Sequence, residues 1–241
     1  MVDSSLKIRI RQFFRERNVS DSAEINPSKL RKVLTGFEGL FRAQAGDQLE
    51  CTVEGMGIAT LSFPELRCDV YVVAALMKGQ AILAVYDNAI LWLDHYVNNE
   101  DFSSFIKREN LIAWIPDRWE KIIQLFVATK FAFLFRPQLI RSASDIPRYP
   151  EDQLDGLGTQ QVQTMREVLQ EDEQRIAEIT QQITPPTLQI GTDGRIYLTF
   201  FVWTKIMGLV FKLECMFGEN LSFDYDGERL TVDPIGHYLR W

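Results

Sequence analysis

Between Leu6 and Arg17 apolar side chains recur at Leu6, Ile10, Phe13 and Phe14. At about 100° per residue they fall within one sector of about 100°, which predicts an amphipathic helix over 6–17. Lys7, Arg11 and Arg15 take the adjoining face, and Ile8 lies outside the apolar stripe. Asn26-Pro27-Ser28 reads as a cap before a second helix, Lys29–Leu34, stopped near Gly36. From Gln48 the period shortens to two, predicting strands Leu49–Glu54, Gly57–Phe63, Asp69–Met77, Gln80–Tyr86 and Ala89–Tyr96. Glu54-Gly55, Lys78-Gly79 and Asp87-Asn88 supply the turns. The last two runs are apolar on both faces, as in a sheet covered on both sides, and Asp87–Val97 can also be read as a helix.

Helical spacing returns at Asp101–Arg108 and at Pro116–Phe135, with Pro116 in the first turn and Pro137 ending the run. Residues 136–158 bring together Arg-Pro, Ile-Pro, Tyr-Pro, Gly156 and Gly158, the pattern of a linker. Thr159 then caps a helix running to Ile183, halted by Pro185-Pro186. Its apolar seam (Val162, Met165, Leu169, Asp172, Ile176, Ile179, Ile183) alternates steps of three and four and is interrupted once, by Asp172. The seam is expected to lie on the protein's own sheet, with Leu169 and Ile176 in the core and Asp172 at a rim. An antiparallel meander follows: Leu188–Ile190, Arg195–Trp203, Leu209–Phe217, Leu221–Tyr225 and Arg229–Val232, with Asp193-Gly194, Gly208 and Asp226-Gly227 at the turns.

The expected fold is thus α+β, two antiparallel β-meanders each combined with helices, the long helix 159–183 packed on the C-terminal meander. The expected domains are 1–140 and 159–241, joined by a linker over 141–158.

Composition narrows the function. The 241 residues are 46% apolar and 24% charged, ordinary for a globular chain, and the net charge of −7 argues against a nucleic-acid surface. Charge comes in blocks: +4 over 1–42, −6 over 43–100, +3 over 101–148, −6 over 149–186 and −2 over 187–241. Cys51, Cys68 and Cys215 are widely spaced, with no C-x-x-C pair, and read as free thiols of a reducing compartment. Met1–Lys7 lacks the apolar stretch of a signal peptide, and Lys or Glu interrupts the runs Ile122–Phe135 and Ile196–Phe217 before they reach membrane-spanning length. A cytoplasmic protein is expected, at most peripheral to a membrane.

Catalytic signals are sparse. His95 and His237 are the only histidines, and the chain holds no G-x-S-x-G, G-x-x-x-x-G-K-[ST] or G-x-G-x-x-G. Asp224-Tyr-Asp-Gly-Glu lacks the ligand spacing and terminal Glu of a calcium loop. No catalytic residue, metal or cofactor is therefore expected, and the chain is read as a non-enzyme.

Two surfaces suggest interaction instead. Lys7, Arg9, Arg11, Phe13, Phe14, Arg15 and Arg17 form a basic amphipathic helix suited to an anionic membrane or an acidic partner. The same phenylalanines could equally cap the protein's own core. In the meander, Tyr197, Phe200, Phe201, Trp203 and Phe211 make both sheet faces apolar, and one helix covers only one face. The other face is expected to meet the second domain, a partner or an apolar ligand. The leading expectation is an adaptor, assembly factor or chaperone-like subunit that binds another protein or a second copy of itself. The alternatives are a module binding a hydrophobic small molecule and a peripheral membrane protein docked through 6–17.

Overall fold

A computed structural model describes residues 4–17, 49–51, 57–61, 63–75, 79–95, 98–134, 137–149 and 159–237. The expected helix 29–34 and the Glu54-Gly55 turn lie outside the described residues. The chain divides into two compact units, Met1–Ala113 and Trp114–Trp241. Both combine helices with an antiparallel sheet, so the protein is α+β.

In the first unit, strands β1 (Leu49–Cys51), β2 (Gly57–Leu61), β3 (Asp69–Ala75), β4 (Gly79–Tyr86) and β5 (Ala89–Trp92) form a meander in sequence order. Helix α1 (Ser4–Glu16) lays Ile10, Phe13 and Phe14 against Ile58, Val73, Ala81, Leu83 and Val85. The alternate side chains Val70, Val72, Ile82 and Ala84 point to the opposite face and are also buried. The doubly apolar β4 is thus satisfied on both sides. Helix α2 (Glu100–Glu109) packs beside β5 and buries Phe102, Phe105 and Ile106. The helical alternative for Asp87–Val97 gives way to a turn at Asp87-Asn88 followed by β5.

The second unit opens with α3 (Ile115–Ala128), extended by a 3₁₀ segment Lys130–Leu134. Strand β6 (Pro137–Ile140) follows, then α4 (Thr159–Ile179), β7 (Thr187–Ile190), β8 (Ile196–Thr204), β9 (Val210–Phe217) and β10 (Phe223–Arg229). β8 pairs with β9 along one side. On its other side it pairs with β7 over Ile196–Thr199 and with β6 over Phe201–Thr204.

This arrangement corrects the expected domain limits. The proline-rich stretch after Phe135 is not a linker throughout: Pro137–Ile140 is a ladder strand, and Ala143 and Ile146 share a core with α4. The division falls between Ala113 and Trp114, because the helix assigned to the N-terminal domain belongs to the C-terminal sheet.

α4 is four residues shorter than expected, ending at Ile179. It packs on the C-terminal meander through Ile176 and Ile179, with Ile183 just beyond, against Phe201, Trp203 and Val210. Leu169, expected in the core with Ile176, is only half-buried and is not part of that core. The Asp226-Gly227 hairpin does not form either. Both residues lie inside β10, opposite Glu214 and Leu213. Phe223 and the ring contacts it makes with Phe126 and Phe217 hold the strand in one continuous register, which outweighs the local turn preference.

Candidate functional site

The residues expected to form an apolar interaction face are mostly enclosed. Phe201 and Trp203 lie beneath α4 at 3% and 1% exposure, and Phe200, on the other face, is at 0%. That second face is filled by α3 and its 3₁₀ extension. Phe126 meets Phe217 at 5.7 Å and Phe223 at 5.4 Å, and Phe131 meets Phe200 at 5.8 Å and Tyr225 at 5.1 Å between ring centres. Tyr197 and Phe211 alone of the five remain half-exposed. The element that covers this face is α3, from within the same unit, where the second domain, a partner or an apolar ligand is expected. The aromatic contacts also leave the sheet closely filled by its own chain.

The basic helix is likewise engaged at home. Phe13 and Phe14 are 6% and 4% exposed within the first unit's core. The Arg9 guanidinium donates to the Tyr86 carbonyl at 2.5 Å. Arg17 pairs with Asp101 at 3.0 Å and lies 4.0 Å from the Phe13 ring centre. Lys7 and Arg11 are half-buried and Arg15 is exposed, so no phenylalanine face is offered for docking in this conformation.

A polar cluster the sequence did not disclose joins the bend before β3, β4 and the end of α2. Glu109, at the end of α2 and 4% exposed, accepts the Arg67 N–H and the Tyr86 hydroxyl, each at 2.7 Å. Arg108 lies 5.0 Å from the Tyr86 ring centre and donates to Asn88. Cys68 and Tyr86 border an open hollow of about 460 Å³ together with Arg67, Asp69 and Asn88. Burial, opposed by the Tyr86 hydroxyl and reinforced by Glu109, pushes the Cys68 thiol up to about 12. Burial also raises Tyr86, and its hydrogen bond to Glu109 adds to the rise. An activated cysteine needs the opposite shift, toward a stable thiolate. The cluster therefore works as a clamp between strands and helix, with its thiol held protonated.

The histidines lie one in each unit. His95 accepts the Asn98 N–H through Nδ1 and contacts Trp92, while His237 contacts Tyr149 and donates its backbone N–H to Pro147. Cys215 is fully buried, and burial holds its thiol far above the ordinary range against the opposing charge of Lys130. Among the described residues, no group of three His, Cys, Asp or Glu is placed to hold a metal ion. No helix among them is long and apolar enough to cross a membrane.

The sheet edges differ in how they end. In β10 the Leu230 N–H bonds to the carbonyl of its partner Val210, so by antiparallel alternation the N–H groups of Tyr225 and Gly227 point away from β9. Asp224 and Asp226 accept those two amides at 2.9 and 2.8 Å. The outer edge of β10 is thus partly closed by its own aspartates. In β5 the same alternation, set by Leu93 N–H to the Ile82 carbonyl, turns the Trp92 amide outward, and Asp101 accepts it at 2.9 Å. β6 is flanked by α3.

β7 is different. Gly191 N–H bonds to the carbonyl of its partner Arg195 at 2.8 Å, which turns the amides and carbonyls of Leu188 and Ile190 away from β8. Among the described residues no side chain accepts these amides. Ile190 is 66% exposed, and Thr187 and Gln189 are exposed beside it. No charged residue occurs from Ile179 to Thr192. Unpaired, uncharged edges are the usual sites where another chain adds a strand.

No protein-family model, curated protein or solved structure matches this chain.

Proposed function

We propose that the protein is a non-enzymatic interaction module, of the adaptor, assembly-factor or chaperone-like class, and that β7 is its docking edge. The single observation that carries this reading is the contrast between edges: aspartates take outward amides of β5 and β10, while among the described residues no side chain takes those of Leu188 and Ile190, on a strand that carries no charge and exposes Ile190. Backbone pairing supplies affinity in such a mode, and side chains at alternate positions supply selectivity. A partner strand laid along β7 would cover Ile190 and use both hydrogen-bonding residues. The protonated Cys68 thiol and the fully engaged Glu109 weigh against a catalytic role for the one polar hollow described.

The test is a photoreactive residue placed at Gln189, on the exposed edge, and separately at Glu228, on the closed edge, where Asp224 and Asp226 are left in place. Crosslinks to a polypeptide are expected at 189 in the cell, lost when Ile190→Pro removes the outward amide, and absent at 228. Equal yields at both positions, or none at 189, would contradict the assignment.

A further inference from the structure

Resting on the assignment of β7 as the docking edge, we propose that its occupant is β7 of a second copy of this chain, paired antiparallel about a two-fold axis. The geometry suits self-pairing. Leu188 and Ile190 are the two residues whose N–H and C=O groups face outward, and they are separated by one residue. Placing Leu188 opposite Ile190 of the second copy, and Ile190 opposite its Leu188, makes both pairs hydrogen-bonded pairs and puts the two Gln189 side chains across the axis. The register closes on itself, as an isologous contact requires.

Side chains agree with the backbone. Leu188 and Ile190 share one face of the strand, the face that Leu198 and Ile196 continue on β8. The pairing lays Leu188 of each copy beside Ile190 of the other, an apolar cross-strand pair that covers the most exposed side chain of β7. The Gln189 amides meet on the opposite face, where each can both donate and accept.

Charge favours β7 over β10 as the place where a second copy pairs. Two chains of net charge −7 repel, and the repulsion is least where the approaching surfaces carry no charge. Ile179–Thr192 meets that condition, whereas β10 presents Asp224, Asp226 and Glu228 and would set acidic strands side by side. Four residues per chain make a small contact, so the dimer is expected to be weak and concentration-dependent.

Sedimentation velocity of the full chain, run over a wide range of concentration, tests this. The wild type should pass from monomer to dimer. Ile190→Pro, which deletes the outward amide, and Ile190→Lys, which places like charges across the axis, should each weaken the dimer by at least about tenfold. Position 190 is exposed and its amide does not bond to β8, so both variants should keep the wild-type circular dichroism. Val232→Lys changes an apolar side chain that is 84% exposed elsewhere and should leave dimerisation unaltered. A wild type that stays monomeric throughout, or a dimer indifferent to both substitutions at 190, overturns self-pairing. So does equal weakening by Val232→Lys. A monomer that still crosslinks a different polypeptide from position 189 overturns self-pairing and leaves the docking edge standing; a monomer with no crosslink there removes both.

Discussion

The carboxylate of Asp172, on α4, accepts the backbone N–H of Gly236 at 2.9 Å, tying the long helix to the chain's C-terminal segment. Asp172 is 14% exposed and lies 3.9 Å from Arg175, so its charge is shielded at a rim. Gly236 holds φ at +78°, and a Cβ there would come within 2.7 Å of the Pro147 carbonyl oxygen. Trp203 donates its indole N–H to the neighbouring Ile235 carbonyl. Asp172→Ala removes the acceptor of a half-buried amide and should cost about 1.5–3 kcal/mol. Denaturant titration should show a lower midpoint with an unchanged slope; an unaltered midpoint would mean that the bond contributes nothing.

Along α4 the two seam residues should respond unequally. Ile176 is 2% exposed and sits among Phe201, Trp203 and Val210, so truncation to Ala should cost about 2–5 kcal/mol. Leu169, half-buried and outside that core, should lose distinctly less. Equal losses in thermal or chemical unfolding would place the two residues in equivalent surroundings and contradict the position of the helix.

Much of this was legible in the sequence. Period-two alternation located most strands within a few residues but missed β6 and split β10 in two, and the Phe13–Phe14 stripe marked the face of α1. The domain limit was not legible, because Pro137 and the prolines after it look like a linker whether or not a ladder partner exists, and the partner of Pro137 is Thr204, 67 residues downstream. The Glu109 cluster escaped for the same reason: Arg67, Tyr86 and Glu109 are far apart in the chain, and nothing local marks their convergence. Asp226-Gly227 misled because its turn preference is local, while the aromatic contacts of Phe223 are not. Edge strands, likewise, are a property of pairing and leave no periodic signature.

Placing residues 137–149 inside the second unit changes what trypsin should do. Arg141 pairs with Glu120, and Arg148 pairs with Glu173 and donates to the Ala143 and Ile146 carbonyls. Cleavage after these arginines should be slow, because the strand and helix contacts must open first. Rapid first cuts at both sites, with the rest of the chain intact, would restore a linker there.

Alkaline pH should destabilise the first unit. The Cys68 thiol, raised from 9.0 to about 12 by burial, keeps its proton in the folded state while the unfolded chain loses it. Between those values the unfolded state binds fewer protons, so stability falls as pH rises from 9 toward 12, and below 9 this group contributes no pH dependence. Burial shifts Tyr86 in the same direction, adding to the loss above its usual range. Mass-spectrometric mapping with a thiol reagent at neutral pH should find Cys68 slow in the native protein and fast once unfolded. Fast native labelling would mean that the thiolate is stabilised, and would reopen a chemical role for the hollow.

Amide hydrogen exchange, read residue by residue at low and high protein concentration, tests the central claim most directly. Protection at Leu188 and Ile190 should rise with concentration as their outward amides find acceptors in a second chain. Tyr225 and Gly227, whose amides Asp224 and Asp226 already accept, should exchange at the same rate throughout. Unchanging protection at Leu188 and Ile190, or a concentration-dependent rise on β10 instead, would contradict β7 as the edge through which two copies of this protein pair.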